Sequence, residues 1–339
     1  MAVIFMDGFD YYQTADIARK WSSGGGQATI SAAYARSLSG QGVSISGSNL
    51  DALVKSFGSN RAGAGVVGFA WQASTVTGKI LIGIMDGTTE QFTIRTNASS
   101  VLTVNQGATV KAIGSTVLAI NTWYYVECKF TVHGSAGVAE VKLNGAAEIA
   151  STGSLDLTGT ANNYWNGIRL GVKNDPSASG LFDDLYLIDA ATGSNTDFLG
   201  PVIIAARAVA GNGNSAQWTP NGGSNSGSVS DLFSDGDISF NASATADQVD
   251  TFVLQDLPAA AGSVFAVGVH SIARQDAGAA RSIAPVIRIS GTDYVGATVN
   301  LSTSYLDYGQ IYDHQPVGGT PAWDVSTVNG LESGYKLIA

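Results

Sequence analysis

Three aspartates lie close together near the middle of the chain, where they could bind a cation. Asp183 and Asp184 are adjacent, and Asp189 ends the same segment, residues 180–189. Calcium binds several hard oxygen ligands, so Asp183 and Asp184, with carbonyls of a neighbouring loop, are candidates for a calcium site. Adjacent residues of a strand point to opposite faces, which instead favours separate hydrogen-bonding roles for the two carboxylates. We favour hydrogen bonding and expect no cofactor.

Two tryptophans in polar segments are candidates for a binding surface. Trp165 and Trp218 lie in segments with the composition of polar loops. An exposed indole can stack on a sugar ring or dock against a neighbouring subunit. Trp165 and Trp218 are therefore the glycan or interface candidates, with an interface or local packing role favoured. Trp71 and Trp123 lie in predicted strands, where core or rim packing is expected.

The histidines and the cysteine form no reactive group in the sequence. His133, His270 and His314 are far apart and lack a partner at i, i+4, so neither a zinc site nor a catalytic dyad is predicted. Cys128 lies on the apolar face of its predicted strand, where a small core residue is expected. A single cysteine also excludes an intrachain disulfide.

Composition indicates an all-β protein made of two domains. The 339 residues include 42 glycines and 7 prolines, with 13% charged residues, which is typical of short strands joined by tight turns. At roughly 150 residues per domain, two domains are expected. The net charge of −10, with 17 lysines and arginines, argues against nucleic-acid binding. We also expect no membrane insertion and no secretion signal, hence synthesis in a cytoplasm.

A half-buried antiparallel strand is the clearest element of the sequence. In residues 123–133, apolar side chains alternate with polar ones such as Glu127 and Lys129. Residues 134–137 then reverse the chain into a second alternating strand that ends in Asn-Gly. Residues 180–189 alternate in the same way. These patterns predict antiparallel strands of a sandwich.

Local patterns predict further elements along the chain. Residues 49–57 place apolar side chains at the i, i+3, i+4, i+7 spacing of a short helix, and an edge strand of a jelly roll is the alternative at this point. Strands are predicted at residues 90–95, 168–172 and 201–209.

A polar connection after Asp189 marks the predicted domain boundary. It divides the chain into residues 1–197, a jelly-roll domain, and residues 198–339, a second β-rich domain. In the second domain a helical turn is predicted within residues 323–331, capped by Asp324 or Ser326.

Several of these features resemble a concanavalin A-like, or laminin G-like, jelly roll. The tryptophan-led strand, its hairpin partner and the late Phe-Asp-Asp strand are similar to the second half of such a domain. Motifs along nearly the whole chain, in the same order, resemble tailed-bacteriophage virion proteins that pair this jelly roll with a second β-rich domain. The motifs are residues 5–10, 20–21, 67–70, 123–127, 182–187, 197–201, 217–220, 250–252, 273–278 and 329–336.

The resemblance implies a virion structural protein, most directly a tail-associated component such as a tail fibre, tail tip or adaptor. Such a protein would act through contacts with other virion proteins and with copies of itself, as a homo-oligomer. It would be synthesised in the host cytoplasm and reside in the virion. Capsid decoration and a carbohydrate-binding module for host surface glycan are the alternatives.

Glycoside hydrolases also use concanavalin A-like folds, and they need two carboxylates beside the scissile bond. Laminarinase-like members present these from one strand as Glu-x-Asp-x-(x)-Glu. The glutamates here are Glu90, Glu127, Glu140, Glu148 and Glu332, and no pair has that spacing. We therefore expect that the chain is not an enzyme, with glycan degradation as the least favoured alternative.

Overall fold

The computed structural model describes residues 3–24, 26, 28–37, 40–46, 53–171, 179–191, 195–276, 278 and 280–339. Within these residues the backbone forms mainly antiparallel strands with short helical turns, so the predicted all-β class is confirmed. The chain divides into two compact units, Met1–Ile204 and Ala205–Ala339. No helix in the described ranges has the length and apolar character needed to cross a membrane.

The described part of the first unit contains two antiparallel sheets and a short helix, α1 (Ile17–Lys20). The strands are β1 (Val3–Asp7), β2 (Ala28–Ser31), β3 (Gly42–Ser46), β4 (Leu53–Ala62), β5 (Ala64–Ala73), β6 (Ile80–Asp86), β7 (Thr89–Thr96), β8 (Val101–Gln106), β9 (Thr109–Val117), β10 (Tyr124–Thr131), β11 (Gly137–Leu143), β12 (Ala146–Leu155), β13 (Tyr164–Leu170) and β14 (Ser179–Asp189). Sheet 1 has the order β12-β11-β10-β5-β14-β3-β2, with β1 paired to β14. Sheet 2 has the order β4-β13-β6-β7-β8-β9.

The two sheets pack face to face over one apolar core. Phe69 and Phe130 enter the core from sheet 1, while Phe92 and Ile168 enter it from sheet 2. The rings of Phe92 and Phe130 meet edge to face, with centroids 5.1 Å apart. This two-layer antiparallel sandwich confirms the predicted jelly-roll architecture.

The predicted hairpin forms between β10 and β11. Val126 pairs with Leu143 and Cys128 with Val141, so the apolar face of β10 lies in the core. The next turn, into β12, places Asn144 and Gly145 at φ of 51° and 83°. A two-residue turn with both residues at positive φ matches the twist of paired strands, which explains the Asn-Gly pair.

The helix predicted for residues 49–57 is wrong where the structure describes it. From Leu53 onward the backbone forms β4, which pairs antiparallel with β13, and residues 49–52 lie outside the described residues. Leu53 is fully buried, and Phe57 packs edge to face on Trp165 with centroids 6.1 Å apart. The strand prevails because pairing with β13 joins it to sheet 2 and brings Leu53 and Phe57 to the core.

The first unit extends past the predicted boundary at residue 197. The Gly200 N–H donates to Glu127 Oε1 at 2.9 Å, and the Ile204 N–H donates to Asp184 Oδ1 at 2.8 Å. Residues 201–208 pair with no strand in the described structure, so the strand predicted for residues 201–209 is wrong. Side chains of sheet 1 thus bind the backbone of the first unit as far as residue 204.

Besides a 3-10 turn at Gly227–Val229, the described part of the second unit contains shorter strands and one α-helix. They are β15 (Val209–Ala216), β16 (Thr219–Pro220), β17 (Asn241–Ala242), β18 (Val249–Leu254), β19 (Val267–Ala273), β20 (Ser282–Ile289), β21 (Thr292–Val295), β22 (Val299–Asn300), β23 (Leu306–Tyr312), α2 (Val325–Gly330) and β24 (Glu332–Leu337). Sheet 3 has the order β15-β18-β24-β20-β21, with β22 on β20, while β16 pairs with β17 and β19 with β23. Asp324 caps α2 by accepting from the Thr327 N–H at 2.8 Å, so the predicted helical turn is confirmed.

Candidate functional site

Trp165 is a core residue of the first unit. It lies in β13 with 0% exposure, and its ring packs edge to face on Phe130 at 5.7 Å between centroids. A register shift between Trp165 and Gly167 interrupts the ladder with β4, and such shifts re-aim side chains. The prediction of a polar loop is therefore corrected. A fully buried ring offers no surface to a sugar or a subunit.

Trp218 is half-buried in the second unit and is held by its own neighbours. Its ring packs edge to face on Tyr335 with centroids 4.6 Å apart, and its Nε1–H donates to the Gln248 carbonyl at 3.1 Å. The backbone N–H groups of Gln217 and Trp218 both donate to Asp250 Oδ1. These contacts support local packing as the main role of Trp218.

Asp183 and Asp184, the calcium candidates, form an internal network with Arg36. The Arg36 backbone N–H donates to Asp183 Oδ2 at 2.8 Å, and its Nη1 donates to Asp184 Oδ2 at 2.9 Å. Asp183 Oδ1 accepts from the Asp184 N–H, and Asp184 Oδ1 accepts from the Ile204 N–H. Each carboxylate oxygen thus has a protein donor, which supports hydrogen bonding over calcium ligation. No group of three or more His, Cys, Asp or Glu side chains in the described ranges is arranged to hold a metal.

Burial raises the pKa of both carboxyl groups. Desolvation is the largest cause for Asp183, and with the neighbouring charge of Asp184 it raises the pKa of Asp183 to about 8. Desolvation also raises the pKa of Asp184, while the Ile204 N–H and Arg36 oppose that shift. A pKa that is higher in the folded state means that folding favours the protonated carboxyl.

We expect Asp183→Asn to flatten the pH dependence of the first unit's stability. The stabilisation linked to a raised pKa is present below the ordinary value of 3.8 and is lost as pH rises through about 8. The unchanged protein should therefore have a lower urea midpoint at pH 8 than at pH 5, and the variant should show a smaller difference. Urea unfolding at the two pH values measures this.

Asp197→Asn is the matched control, because the Asp197 side chain is 69% exposed and its pKa is lowered by the Phe198 N–H. It should leave the pH dependence above pH 5 unchanged. If Asp183→Asn shows the same pH dependence as this control, the raised pKa assigned to Asp183 is contradicted.

A polar row crosses the outer face of sheet 2. Arg169 of β13 pairs with Gly83 of β6, Gly83 pairs with Thr93 of β7, and Thr93 pairs with Asn105 of β8. Directly paired residues share a face, and the core residues alternate with this row along each strand. Gly83 has no side chain, and Glu90 of β7 extends over it, with Oε1 3.4 Å from the place of a Gly83 Cβ. Glu90 thereby reaches Arg169 two strands away.

Two arginines share one carboxylate on this face, in the Arg95–Glu90–Arg169 cluster. Arg169 Nη2 contacts Glu90 Oε1, and Arg95 Nη2 lies 4.0 Å from Glu90 Oε2. The Arg95 Nε–H also donates to Thr93 Oγ1 at 2.6 Å. Burial lowers the pKa of both guanidinium groups. Two guanidinium groups and one carboxylate give the cluster a formal charge of +1 in a chain whose net charge is −10.

This cluster is not among the predicted site residues, although part of its pattern is readable. The predicted strands at residues 90–95 and 168–172 place Thr93, Arg95 and Arg169 opposite apolar neighbours, which marks them as outward-facing. Their proximity depends on β6 lying between β13 and β7. Strand order of this kind follows from non-local pairing and cannot be read from spacing within a strand.

A histidine contacts a carboxylate in the second unit. His270 Nδ1 lies 2.9 Å from Asp307 Oδ1, across the pairing of β19 with β23. The two residues are far apart in sequence, so spacing alone gave no signal for this pair. A carboxylate on Nδ1 fixes the orientation of the imidazole ring.

Comparison with known proteins gives fold-level similarity only. No protein-family model and no curated protein matches the sequence. An alginate lyase structure matches at 13% identity and a TM-score of 0.37, covering 52% of this chain and 91% of that one. The catalytic domain of a glycoside hydrolase family 131 protein from Coprinopsis cinerea matches at 13% identity and a TM-score of 0.32, covering 55% and 83%. The galectin LEC-6 of Caenorhabditis elegans matches at 9% identity and a TM-score of 0.27, covering 42% and 94%.

These matches contradict the prediction that the chain is not an enzyme. Two of the three matched structures, the alginate lyase and the family 131 catalytic domain, are enzymes. The missing Glu-x-Asp-x-(x)-Glu spacing excludes one arrangement of carboxylates and leaves other enzyme chemistries open. At these TM-scores, no activity passes from the matched structures to this chain.

Proposed function

We propose that this protein is a structural component of a bacteriophage virion, most directly a tail-associated one, that works through protein contacts. The ordered motifs that resemble tailed-phage virion proteins support this role, and so does the jelly roll that they imply. The observation that carries the mechanism is an exposed apolar surface along the edge strand β9.

β9 presents large apolar side chains at one edge of sheet 2. Val110, Ile113 and Val117 are 50%, 58% and 68% exposed, and Ile120 just after the strand is 57% exposed. An edge strand is a template for further association, and proteins usually protect it with charges, bulges or covering loops. Clustered apolar side chains at such an edge mark a surface that is buried against a partner. The partner here is another virion protein or a second copy of the chain.

A side chain of the protein itself occupies the backbone donors along one stretch of the β9 edge. Glu148 of β12 accepts from the backbone N–H groups of Ser115 and Thr116 at 2.7 and 2.9 Å. A carboxylate in this position occupies donors that an added strand would use. Docking is thereby directed to the stretch that carries Val110 and Ile113.

In this role the protein is made in the host cytoplasm and is incorporated into the particle. Capsid decoration is the second candidate, and the same β9 surface supports it because decoration also needs an exposed docking edge. Cryo-electron microscopy of purified particles separates the two roles. Density for the jelly roll in the tail supports the first and density on the capsid lattice the second, while absence of the protein from purified particles overturns both.

Ile113→Lys is expected to lower the amount of this protein in purified particles by about tenfold or more, because burying an unpaired ammonium group opposes docking. Quantitative mass spectrometry of particles grown on a host that supplies the variant measures the amount. Ile238→Lys in the second unit is the matched control, since Ile238 is 79% exposed and lies outside β9. Equal incorporation of both variants would rule out β9 as the docking edge.

A further inference from the structure

Val110 and Ile113 of β9 lie on the same face of sheet 2 because the strand contains a bulge. The register with β8 shifts between Val110 and Ala112, which makes Lys111 the extra residue. On a regular strand, side chains three residues apart point to opposite faces. Ala112 packs against the core, so Val110 and Ile113, which are 50% and 58% exposed, both lie on the outer face.

The bulge also protects the edge of β9 against the addition of a strand. Bulges and charges at an edge interrupt the ladder that an added strand would need. Lys111 forms the bulge, and farther along the strand Glu148 accepts from two backbone N–H groups. A partner at β9 therefore contacts side chains of the outer face rather than the backbone of the edge.

Arg95 of β7 lies on the same outer face. Thr103 of β8 pairs with Arg95 on one side and with Ile113 on the other, so these three residues share a face. Neighbouring strands are about 4.8 Å apart, which puts the backbones of Arg95 and Ile113 about 10 Å apart. One arginine and two apolar side chains thus form a single surface, which we call the β7–β9 face (Arg95, Val110 and Ile113).

The Arg95 guanidinium is held in position and has donors left over. Its Nε–H donates to Thr93 Oγ1 at 2.6 Å, whereas its Nη2 lies 4.0 Å from Glu90 Oε2, beyond hydrogen-bond distance. In the part of the chain that the structure describes, Nε is the guanidinium nitrogen of Arg95 that finds an acceptor. The side chain is 24% exposed, so Nη1 and Nη2 can donate to an acceptor from another molecule.

The floor between these side chains is closed. Thr103 and Asn105 are 2% and 6% exposed, and Thr103 Oγ1 donates to Asn105 Oδ1 at 2.6 Å. Their polar groups are thus used within the protein. Contacts with a partner fall on the three more exposed side chains of the β7–β9 face.

We propose that the β7–β9 face docks a different protein of the particle, which covers Val110 and Ile113 with apolar side chains and places a carboxylate on Arg95. This inference rests on the proposed function and names the chemistry of the partner. A guanidinium group matches a carboxylate with two parallel hydrogen bonds, and arginine is among the residues that most often dominate interface energies. The formal charge of +1 on the Arg95–Glu90–Arg169 cluster also favours an acidic group opposite it.

A second copy of the chain fits this face poorly. Most closed dimers form by two-fold symmetry, in which the same patch lies opposite itself. Such a contact would set Arg95 and its positively charged cluster against the same cluster of the second copy. Like charges that face each other across an interface oppose binding. The β7–β9 face therefore fits a different protein, which supplies the negative charge.

Quantitative mass spectrometry of purified particles, grown on a host that supplies each variant, tests the proposal. Arg95→Gln removes the charge and should lower the amount of this protein in the particles by about tenfold, because it breaks an ion pair at the interface. Arg288→Gln is the matched control, since it makes the same change in the second unit, where Arg288 pairs with Asp293 at 2.6 Å. It should leave incorporation unchanged. Thermal melting of the purified variants establishes that each is folded.

Photo-crosslinking identifies the carboxylate of the partner. With p-benzoylphenylalanine in place of Val110, we expect a crosslink in the particles to a segment of a different protein that contains Asp or Glu. Replacing that acidic residue by arginine should restore the incorporation of Arg95→Glu, because the charges are then exchanged across the contact. A residue that only stabilises the face would give no such rescue.

Three results would overturn the proposal and leave docking at β9 in place. Arg95→Gln could be incorporated as well as Arg288→Gln while Ile113→Lys is lost, the crosslink could join two copies of the chain, or the exchange of charges could fail to restore incorporation. Failure of the proposed function is distinguishable from these results, because the unchanged protein would then be absent from purified particles.

Discussion

Trp165→Ala is expected to lower the free energy of unfolding of the first unit by about 3–5 kcal/mol. The indole is 0% exposed, and the rings of Phe57 and Phe130 lie 6.1 and 5.7 Å from it between centroids. Alanine would leave a cavity between two sheets whose hydrogen-bonded backbones resist collapse. In scanning calorimetry of the full chain, the melting temperature of the first unit should fall by roughly 6–20 °C.

Trp218→Ala is the control for this experiment, because it makes the same chemical change in the second unit. It should leave the transition of the first unit in place. If Trp165→Ala leaves the melting temperature of the first unit unchanged, the indole is not in the core. Trp165 would then again be a candidate for a glycan or interface contact.

Asp250→Ala is expected to destabilise the second unit by about 3–5 kcal/mol, since each buried donor left without an acceptor costs about 1–3 kcal/mol. Asp250 is 0% exposed. Its Oδ1 accepts from the N–H groups of Gln217 and Trp218, and its Oδ2 accepts from the Asn225 and Asn241 side-chain amides. One carboxylate thus holds the start and the end of the segment between β15 and β18. Urea unfolding of the full chain, with hydrogen exchange to identify the unit, measures the loss.

Asp293→Ala provides the comparison, because this aspartate pairs with Arg288 at 2.6 Å and its side chain is 33% exposed. Surface ion pairs contribute about 0–1 kcal/mol, so little change is expected. Hydrogen exchange in residues 217–241 should rise in Asp250→Ala and stay constant in Asp293→Ala. Similar exchange in the two variants would show that Asp250 does not organise this segment.

Elements with an unambiguous local pattern were predictable. The alternation around Cys128 predicted β10, and residues 134–137 predicted the turn of its hairpin with β11, because side-chain direction and turn conformation are properties of neighbouring residues. The pattern of residues 49–57 fitted a helix as well as a strand. These residues form a strand because they pair with β13, which is remote from them in sequence.

The candidate sites were less predictable than the elements. Trp165 lies among polar neighbours, so its surroundings in sequence indicated exposure, whereas the register shift beside Gly167 accompanies its placement in the core. Arg95 and Arg169 were each readable as outward-facing residues. Arg95 lies in the same strand as Glu90, whereas only the order of β13, β6 and β7 brings Arg169 within reach of Glu90.

The all-β class, the main hairpin and the outward faces of several strands were predictable from the sequence, because these follow from residue type and period-two alternation. Tertiary structure alone decided which strands are neighbours, which tryptophans are buried and which carboxylates have donors. It also set the end of the first unit, through contacts from Glu127 and Asp184 to residues 200 and 204. The physical reason is that burial, hydrogen bonding and charge pairing are settled between segments that are distant in the chain.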